Sequence, residues 1–259
     1  MIRKNIISKY YILIFILFIF LFIVEGFFCN YDLSKFKKTY NFCEINFFKS
    51  FWHENGIVEN IQSLFLFFSI CFLIKARSFY KNIKIINYFL LIKIFALIYY
   101  LGEEISWGQH FFKWNTPEIF NELNNQNETN FHNISNLLDQ VPRSLVILWC
   151  GFIPLVFYFF RKKFRLSNKL NLIILPNLKL LVVSLILLLF FLPDLLVDKM
   201  NLHPGHHVDG KDVVEAKYYD ILTFNFVERL SEIQELIFCF YFFIYSIALS
   251  NFRGNNEII

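Results

Sequence analysis

The chain has 259 residues, of which 56% are hydrophobic and 20% aromatic, and its mean hydropathy is +0.47. This composition leaves too little polar surface for a soluble protein of this length and predicts a polytopic membrane protein. The formal net charge of +4 gives no indication of nucleic-acid binding. We therefore expect membrane lipid as the partner and no nucleic acid.

Six apolar segments follow one another along the chain, each near the ~20 residues that a helix needs to cross the hydrocarbon core. We predict spans at about 10–28, 57–76, 83–102, 144–160, 177–196 and 226–250. Helices are expected because lipid cannot satisfy open backbone groups and because the segments lack the alternation of barrel strands. The predicted fold is all-α: one integral membrane domain, residues 1–259, forming a transmembrane helix bundle with a partly helical outer segment after the third span.

The distribution of charge orients this predicted bundle. With a cytoplasmic N-terminus, thirteen of the 25 basic residues fall in short inner loops and tails, which satisfies the positive-inside rule and makes the C-terminus cytoplasmic too. The same topology places 20 of the 21 acidic residues and all six histidines outside or in the outer halves of helices. We therefore expect an integral protein of a bacterial inner (plasma) membrane whose polar site faces outward.

The stretch 101–136 is the densest part of the chain in groups that can carry out chemistry. On a helix that continues from the third span, Glu103, Ser106 and His110 are spaced three and four apart and share one face. Adjacent carboxylates at a membrane boundary are costly unless they are paired, hydrated or bound to a cation. The candidate catalytic residues are Glu103, Glu104 and His110. The alternative is a set of interfacial solubilising groups, with Trp107 and Trp114 as belt anchors.

Two regions contain a pattern that is compatible with metal binding, one around Glu128 and His132 and the other around His203, His206 and His207. If the asparagine-rich stretch is helical, Glu128 and His132 lie four apart on one face and can bind one ion, whereas Asn130 and Asn133 hold a polar head group or orient the histidine. The predicted metal ligands are Glu128, His132, His203, His206 and His207, and a divalent metal such as zinc is the candidate cofactor. The alternatives are an asparagine-rich loop and a wet, pH-sensitive histidine loop.

Further polar groups lie at the predicted outer ends of other spans. Such residues normally face the bundle interior or a water-filled cavity, so we expect them to converge on the same site. The candidate substrate-binding or supporting residues are Glu59, Gln109, Asn130, Asn133, Asp194, Asp198, Glu228, Glu232 and Glu235. Ion pairing of the last-helix glutamates with neighbouring basic residues is the alternative.

The strings GEEISWGQ and NETNFHN resemble a pattern of uncharacterised bacterial multi-spanning proteins, which also tend to carry a glutamate-rich last helix. This resemblance implies a membrane protein and no known activity. The spacing of Ser106 with His110 and of His203 with His207 is similar to that in alkaline-ceramidase-like membrane hydrolases, which bind zinc. This chain departs from that family in its six spans, in lacking an Asp soon after His110, and in the Pro204-Gly205 pair between the two later histidines.

Three functions follow from the sequence. The first is an outer-face enzyme, metal-dependent in one version, that acts on a lipid or lipid-linked substrate, with Glu103 or Glu104 as general base. The second is a cation- or proton-coupled transporter. Lys93 is almost the only charged residue expected at mid-membrane, and this counts against a transport route. The third is a structural or assembly protein without catalysis.

Overall fold

The computed structural model describes residues 15–16, 20, 56–123, 128–131, 134–164, 168–199 and 230–251. All regular secondary structure within these ranges is helical. The chain divides into two compact units, Met1–Val58 with Leu188–Glu235, and Glu59–Leu187 with Leu236–Ile259. We call the second of these, which contains most of the described residues, the main unit. The prediction of a single domain is not tested by this division.

Nine α-helices are described within these ranges. Four of them stand in the first half of the chain: α1 (Ile57–Tyr80), α2 (Lys84–Glu104), α3 (Gln109–Phe112) and α4 (Glu118–Leu123). The other five are α5 (Asn136–Ile147), α6 (Ile153–Phe164), α7 (Asn168–Ile174), α8 (Lys179–Lys199) and α9 (Leu230–Asn251). A π-helical turn, Leu148–Phe152, joins α5 to α6.

Four stretches of the described helices are long and apolar enough to cross a membrane: Ile57–Tyr80, Lys84–Glu104, Gln140–Phe160 and Glu232–Asn251. They coincide with the second, third, fourth and sixth predicted spans, so the all-helical class and the presence of apolar helices long enough to cross a membrane are confirmed. The fourth is longer than predicted because α5, the π-turn and α6 form one continuous apolar stretch. The fifth prediction falls on α8, and within the part of this helix whose side chains are described, Lys179–Leu192 is an apolar stretch. Most of the first predicted span lies outside the described residues.

Helix α9 is the most buried of the four candidate spans, with 78% of its apolar stretch inside the protein, against 28% to 33% for the others. In the main unit its buried side chains include Phe238, Tyr241 and Tyr245. The Tyr245 hydroxyl donates a hydrogen bond of 2.7 Å to the carbonyl oxygen of Ile173. This bond ties α9 to the end of α7, and it satisfies a buried polar group that would otherwise be costly.

Buried serine hydroxyls inside these apolar helices find their hydrogen-bond acceptors among the backbone carbonyls. The hydroxyls of Ser69 and Ser246 each donate to the carbonyl four residues earlier, at 2.6 and 2.7 Å, which is a common way to place serine in an apolar helix. Pro154 has no N–H to offer the carbonyl of Cys150. The hydroxyl of Ser184 on α8 donates to that carbonyl instead, so α8 is held where the π-turn interrupts the regular ladder.

Candidate functional site at the end of helix α2

Helix α2 ends in a sharp change of backbone direction. After Glu104, the residues Ser106 and Trp107 adopt φ angles of 45° and 54°, and Gly108 follows at 98°. Left-handed backbone is uncommon for residues other than glycine and costs about 1–3 kcal/mol, so it persists only where the surrounding contacts hold it. The predicted continuation of the helix through His110 is therefore wrong, because a strained turn separates α2 from the short helix α3.

The carboxylate of Glu103 joins the end of α2 to the segment 128–131. Its Oε1 accepts a hydrogen bond of 2.8 Å from the indole Nε1 of Trp107, and its Oε2 accepts one of 2.7 Å from the backbone N–H of Phe131. Glu103 is only 5% exposed. Both oxygens of this buried carboxylate are thus occupied by donors that hold the fold, as expected for a charge removed from water.

The side chain of Trp107 fits against Gly102. A Cβ atom added at Gly102 would lie 2.9 Å from two carbons of the indole ring, a distance that real side chains do not tolerate. The absence of a side chain at Gly102 therefore allows the indole to reach Glu103. Trp107 is still 43% exposed, so it combines this structural role with an exposed face, as tryptophans at membrane interfaces often do.

A second set of bonds attaches Thr129 to the turn. Its backbone N–H donates to Oε1 of Gln109 at 2.8 Å, and its hydroxyl lies 2.7 Å from the carbonyl oxygen of Ser106. The amide of Gln109 donates in turn to Oγ1 of Thr116 at 2.8 Å. Gln109 thereby connects three parts of the segment. In the sequence Thr129 is conspicuous only as part of an Asn-x-Thr pattern, so its role could not be anticipated.

Ser106, Glu128 and Asn130 form the most chemically interesting group of this segment, and we call it the Ser106 cluster. The Ser106 hydroxyl donates to Oε2 of Glu128 at 3.1 Å, and the amide Nδ2 of Asn130 donates to the same oxygen at 2.5 Å. The Asn130 amide also lies 3.4 Å from the Ser106 oxygen. Ser106 and Asn130 are buried, whereas Glu128 is partly exposed. Such an arrangement places a carboxylate where it can accept a proton from a hydroxyl.

An exposed apolar surface lies beside this cluster in the sequence. The exposed fractions are 63% for Phe111, 77% for Phe112, 70% for Ile119 and 53% for Leu123. The rings of Phe112 and Trp114 stack at 5.8 Å with nearly parallel planes. Exposed aromatic and aliphatic groups that follow the end of an apolar helix in the sequence are typical of a surface that contacts lipid or an apolar ligand.

The structure brings Glu103, Gln109, Glu128 and Asn130 into one hydrogen-bonded segment. Glu104 is partly exposed at the last residue of α2, and Glu59 is partly exposed in the first turn of α1. Glu232 is buried and Glu235 partly exposed near the start of α9, in the other compact unit. Several predicted residues lie outside the described residues: His132, Asn133, His203, His206, His207 and Glu228, together with the side chains of His110, Asp194 and Asp198.

The metal prediction depends on residues that are mostly outside the described ranges. Among the described residues, no group of three or more His, Cys, Asp and Glu side chains is arranged to bind an ion. Residues 128–131 are not helical, so the argument from helical spacing of Glu128 and His132 does not hold. Glu128 is the one predicted ligand that is described, and its Oε2 is engaged by Ser106 and Asn130. The zinc site stays a prediction.

Lys93 lies at the middle of α2 and is surrounded by aromatic rings. Its ammonium nitrogen is 4.0 Å from the ring centre of Trp149, 4.5 Å from that of Tyr245, and 5.3 Å from those of Phe89 and Phe242. All four distances lie within the range of cation–π attraction. The indole Nε1 of Trp149 is buried without a hydrogen-bond partner in the described structure. The contact of Trp149 with Lys93 is therefore made by the face of the ring.

Searches of protein-family models, curated proteins and solved structures with this chain yield no match.

Proposed function

We propose that the protein is a membrane-embedded enzyme that acts on a lipid or lipid-linked substrate, with Glu128 as the proton acceptor. The observation that carries this proposal is the Ser106 cluster: a buried hydroxyl on a strained turn, 3.1 Å from the Glu128 carboxylate. Strained backbone is concentrated at functional sites, where the surrounding structure maintains it for a purpose. The exposed apolar side chains of Phe111, Phe112, Ile119 and Leu123, which lie between Ser106 and Glu128 in the sequence, support a substrate with acyl or polyprenyl chains.

In this mechanism Glu128 accepts the hydroxyl proton of Ser106 while the Ser106 oxygen bonds to an acyl or phosphoryl centre of the substrate and the bond from that centre to its leaving oxygen breaks. Glu128 passes the proton to the leaving oxygen, and a water molecule then hydrolyses the ester at Ser106 and restores its hydroxyl. The Asn130 amide, which donates to Glu128 at 2.5 Å, holds the carboxylate in place. Glu103 is assigned a positioning role rather than that of general base, because both of its oxygens already accept hydrogen bonds from Trp107 and Phe131.

A second candidate function is the binding of a lipid without any reaction. It is favoured by one observation, which is that the Ser106 side chain is fully buried. A substrate reaches this hydroxyl only if the segment opens, whereas a lipid that binds to the exposed apolar surface requires no such opening. The two functions differ in whether the lipid is chemically changed.

The topology and the location belong to the same proposal. We infer six spans from the apolar segments, cytoplasmic termini from the positive-inside distribution of Lys and Arg, and a bacterial plasma membrane as the location. Under this orientation, the Ser106 cluster faces the outer surface of the membrane.

The experiment compares wild-type protein with Glu128→Gln and Ser106→Gly in vesicles of phosphatidylethanolamine, phosphatidylglycerol and a polyprenyl diphosphate. The lipids are followed by liquid chromatography and mass spectrometry. We expect one lipid to be converted by the wild type, and about 100-fold more slowly by Glu128→Gln, since a positioned base contributes roughly 10²–10⁴-fold to a rate. The matched control is Glu122→Gln, at an exposed glutamate of α4, which should retain the wild-type rate.

The outcomes separate the two functions. If wild-type protein converts none of these lipids but copurifies with one that Glu128→Gln retains equally well, lipid binding replaces catalysis as the conclusion. Equal conversion by wild type, Glu128→Gln and Ser106→Gly would contradict the mechanism. Ser106→Gly is preferred to alanine because glycine adopts the left-handed backbone of this position without strain.

A further inference from the structure

A small cleft lies at the opposite end of helix α2 from the Ser106 cluster. It has a volume of about 270 Å³ and is lined by Ile74, Arg77, Ser78, Lys81 and Asn87. These residues come from the last turns of α1, the connection to α2, and the first turn of α2. At 1.5 Å per residue, α2 separates the two ends by about 30 Å, so this basic cleft is distinct from the proposed catalytic segment.

The guanidinium of Arg77 has a fixed orientation in the basic cleft. Its Nε donates a hydrogen bond of 2.8 Å to Oδ1 of Asn87. One of the five guanidinium N–H groups is thereby used, and the terminal nitrogens carry the remaining four. A planar guanidinium that is held in place offers the paired donors that match the oxygens of a phosphate.

Other charges at this end of the helices have the same sign. Lys81, which lines the cleft, is exposed, and so are Lys75 and Lys84, which precede and follow Lys81 in the sequence. None of the five lining residues is an aspartate or glutamate. The cleft therefore attracts an anion, and basic pockets between transmembrane helices are known to bind acidic lipid head groups.

The wall of the cleft distinguishes a lipid from a soluble phosphate. Ile74 lines the cleft and is 55% exposed. Ile85 and Tyr88, on the first turns of α2, are 60% and 62% exposed. An anion with hydrocarbon chains can cover Ile74 in the cleft, and the exposed side chains of α2 outside it, while its phosphate meets Arg77, whereas inorganic phosphate gains nothing from these apolar groups.

We propose that the basic cleft binds the phosphate of an acidic phospholipid, with Arg77 and Lys81 as the charged ligands, Asn87 as the residue that positions Arg77, and Ile74 against an acyl chain. This site holds a structural or regulatory lipid at the end of α1 and α2 remote from the Ser106 cluster. It does not depend on the proposed enzymatic function.

The test measures the retention of phosphatidylglycerol against phosphatidylcholine with identical chains, by native mass spectrometry of the full-length protein released from micelles. We expect wild-type protein to prefer phosphatidylglycerol, and Arg77→Gln/Lys81→Gln to lose about 30-fold of this preference, because each of the two basic residues that line the cleft contributes about 1 kcal/mol. The matched control is Lys75→Gln/Lys84→Gln, which removes the same charge from exposed positions outside the cleft and should keep the preference.

The same lipid preference is measured for Asn87→Ala and in the presence of inorganic phosphate. Asn87→Ala leaves every charge in place and should weaken the preference by releasing Arg77; an unchanged preference in this variant overturns the proposal even if the charge variant does not fold. Inorganic phosphate is added as a competitor, and displacement of the lipid by millimolar phosphate would identify a soluble-phosphate site instead. Equal loss in both charge variants would show that net charge, rather than the cleft, attracts the lipid.

Discussion

Glu103 and Lys93 are charged residues of one helix, and the protein accommodates them in different ways. Glu103, at the end of α2, has both oxygens bonded to N–H donors of Trp107 and Phe131. Lys93, ten residues earlier, lies among four aromatic rings, with the nearest centre 4.0 Å away. The acidic group is held by directed bonds and the basic group by the faces of rings. The comparison shows that a conspicuous charge in a membrane helix can have a wholly structural environment.

The same comparison distinguishes Glu103 from Glu128, two of the five glutamates of the segment 101–136. Glu103 is 5% exposed and connects parts of the fold, whereas Glu128 is partly exposed and contacts a hydroxyl on a strained turn. For this reason we assign stability mainly to Glu103 and chemistry to Glu128. Substitutions at Glu103, Ser106 and Lys93 test these roles.

The largest effect on stability is expected at Glu103. Glu103→Ala leaves the indole N–H of Trp107 and the backbone N–H of Phe131 without their acceptor, at about 1–3 kcal/mol for each of these partly buried bonds. We expect a loss of about 4 kcal/mol in the free energy of unfolding, measured in detergent by tryptophan fluorescence. Glu122→Ala, at an exposed glutamate of α4, should change it by less than about 0.5 kcal/mol. Similar small losses in both variants would refute the structural role of Glu103.

The next effect concerns the packing of Trp107 on Gly102. Gly102→Ala places a methyl group where the indole ring lies, 2.9 Å from two of its carbons. Forcing an extra methyl into a packed site costs about 1–3 kcal/mol, and here it also displaces the donor to Glu103. We expect a loss of about 2 kcal/mol in unfolding free energy and a shifted Trp107 fluorescence. If the variant Glu103→Ala/Gly102→Ala loses the full sum of both effects, the two residues do not act together as described.

A double-mutant cycle tests the aromatic environment of Lys93. We expect Trp149→Leu to be more destabilising in the presence of Lys93 than in a Lys93→Met background, by about 2 kcal/mol, the value for a desolvated cation–π pair. The unfolding free energies of the four proteins give this coupling directly. A coupling near zero would mean that the ring packs near the ammonium without stabilising it.

The smallest effect concerns the backbone of Ser106. Ser106→Gly and Ser106→Ala both remove the hydroxyl that contacts Glu128, but only alanine keeps the strain of a left-handed residue with φ near 45°. The glycine variant should therefore be more stable than the alanine variant by about 1 kcal/mol. Equal stability of the two variants would show that the turn relaxes and is not held in a strained form.

Much of the fold could be predicted from the sequence, because apolar runs of the length of a membrane span leave a helix almost no alternative. Four of the predicted spans coincide with helices that meet this criterion. The extension of the fourth span could not be foreseen, because it depends on a π-turn and on a hydrogen bond from Ser184 on another helix.

The segment after α2 was harder to predict. Spacing along the sequence suggested a continuing helix, but left-handed residues at Ser106 and Trp107 overturn that pattern, and neither is a residue type that favours such a backbone. The importance of Glu128 and Asn130 was anticipated from their chemistry. Their contact with Ser106 was not, because residues 22 and 24 positions apart meet only through the folded turn.

The central claim is that Glu128 carries the chemistry while Glu103 holds the fold. It is tested most directly by measuring lipid conversion and thermal unfolding on the same preparations of wild type, Glu128→Gln and Glu103→Gln. We predict that Glu128→Gln unfolds near the wild-type temperature but converts its lipid about 100-fold more slowly, whereas Glu103→Gln unfolds earlier and converts lipid normally below that temperature. Full activity in Glu128→Gln, together with lost activity in a stable Glu103→Gln, would contradict the account.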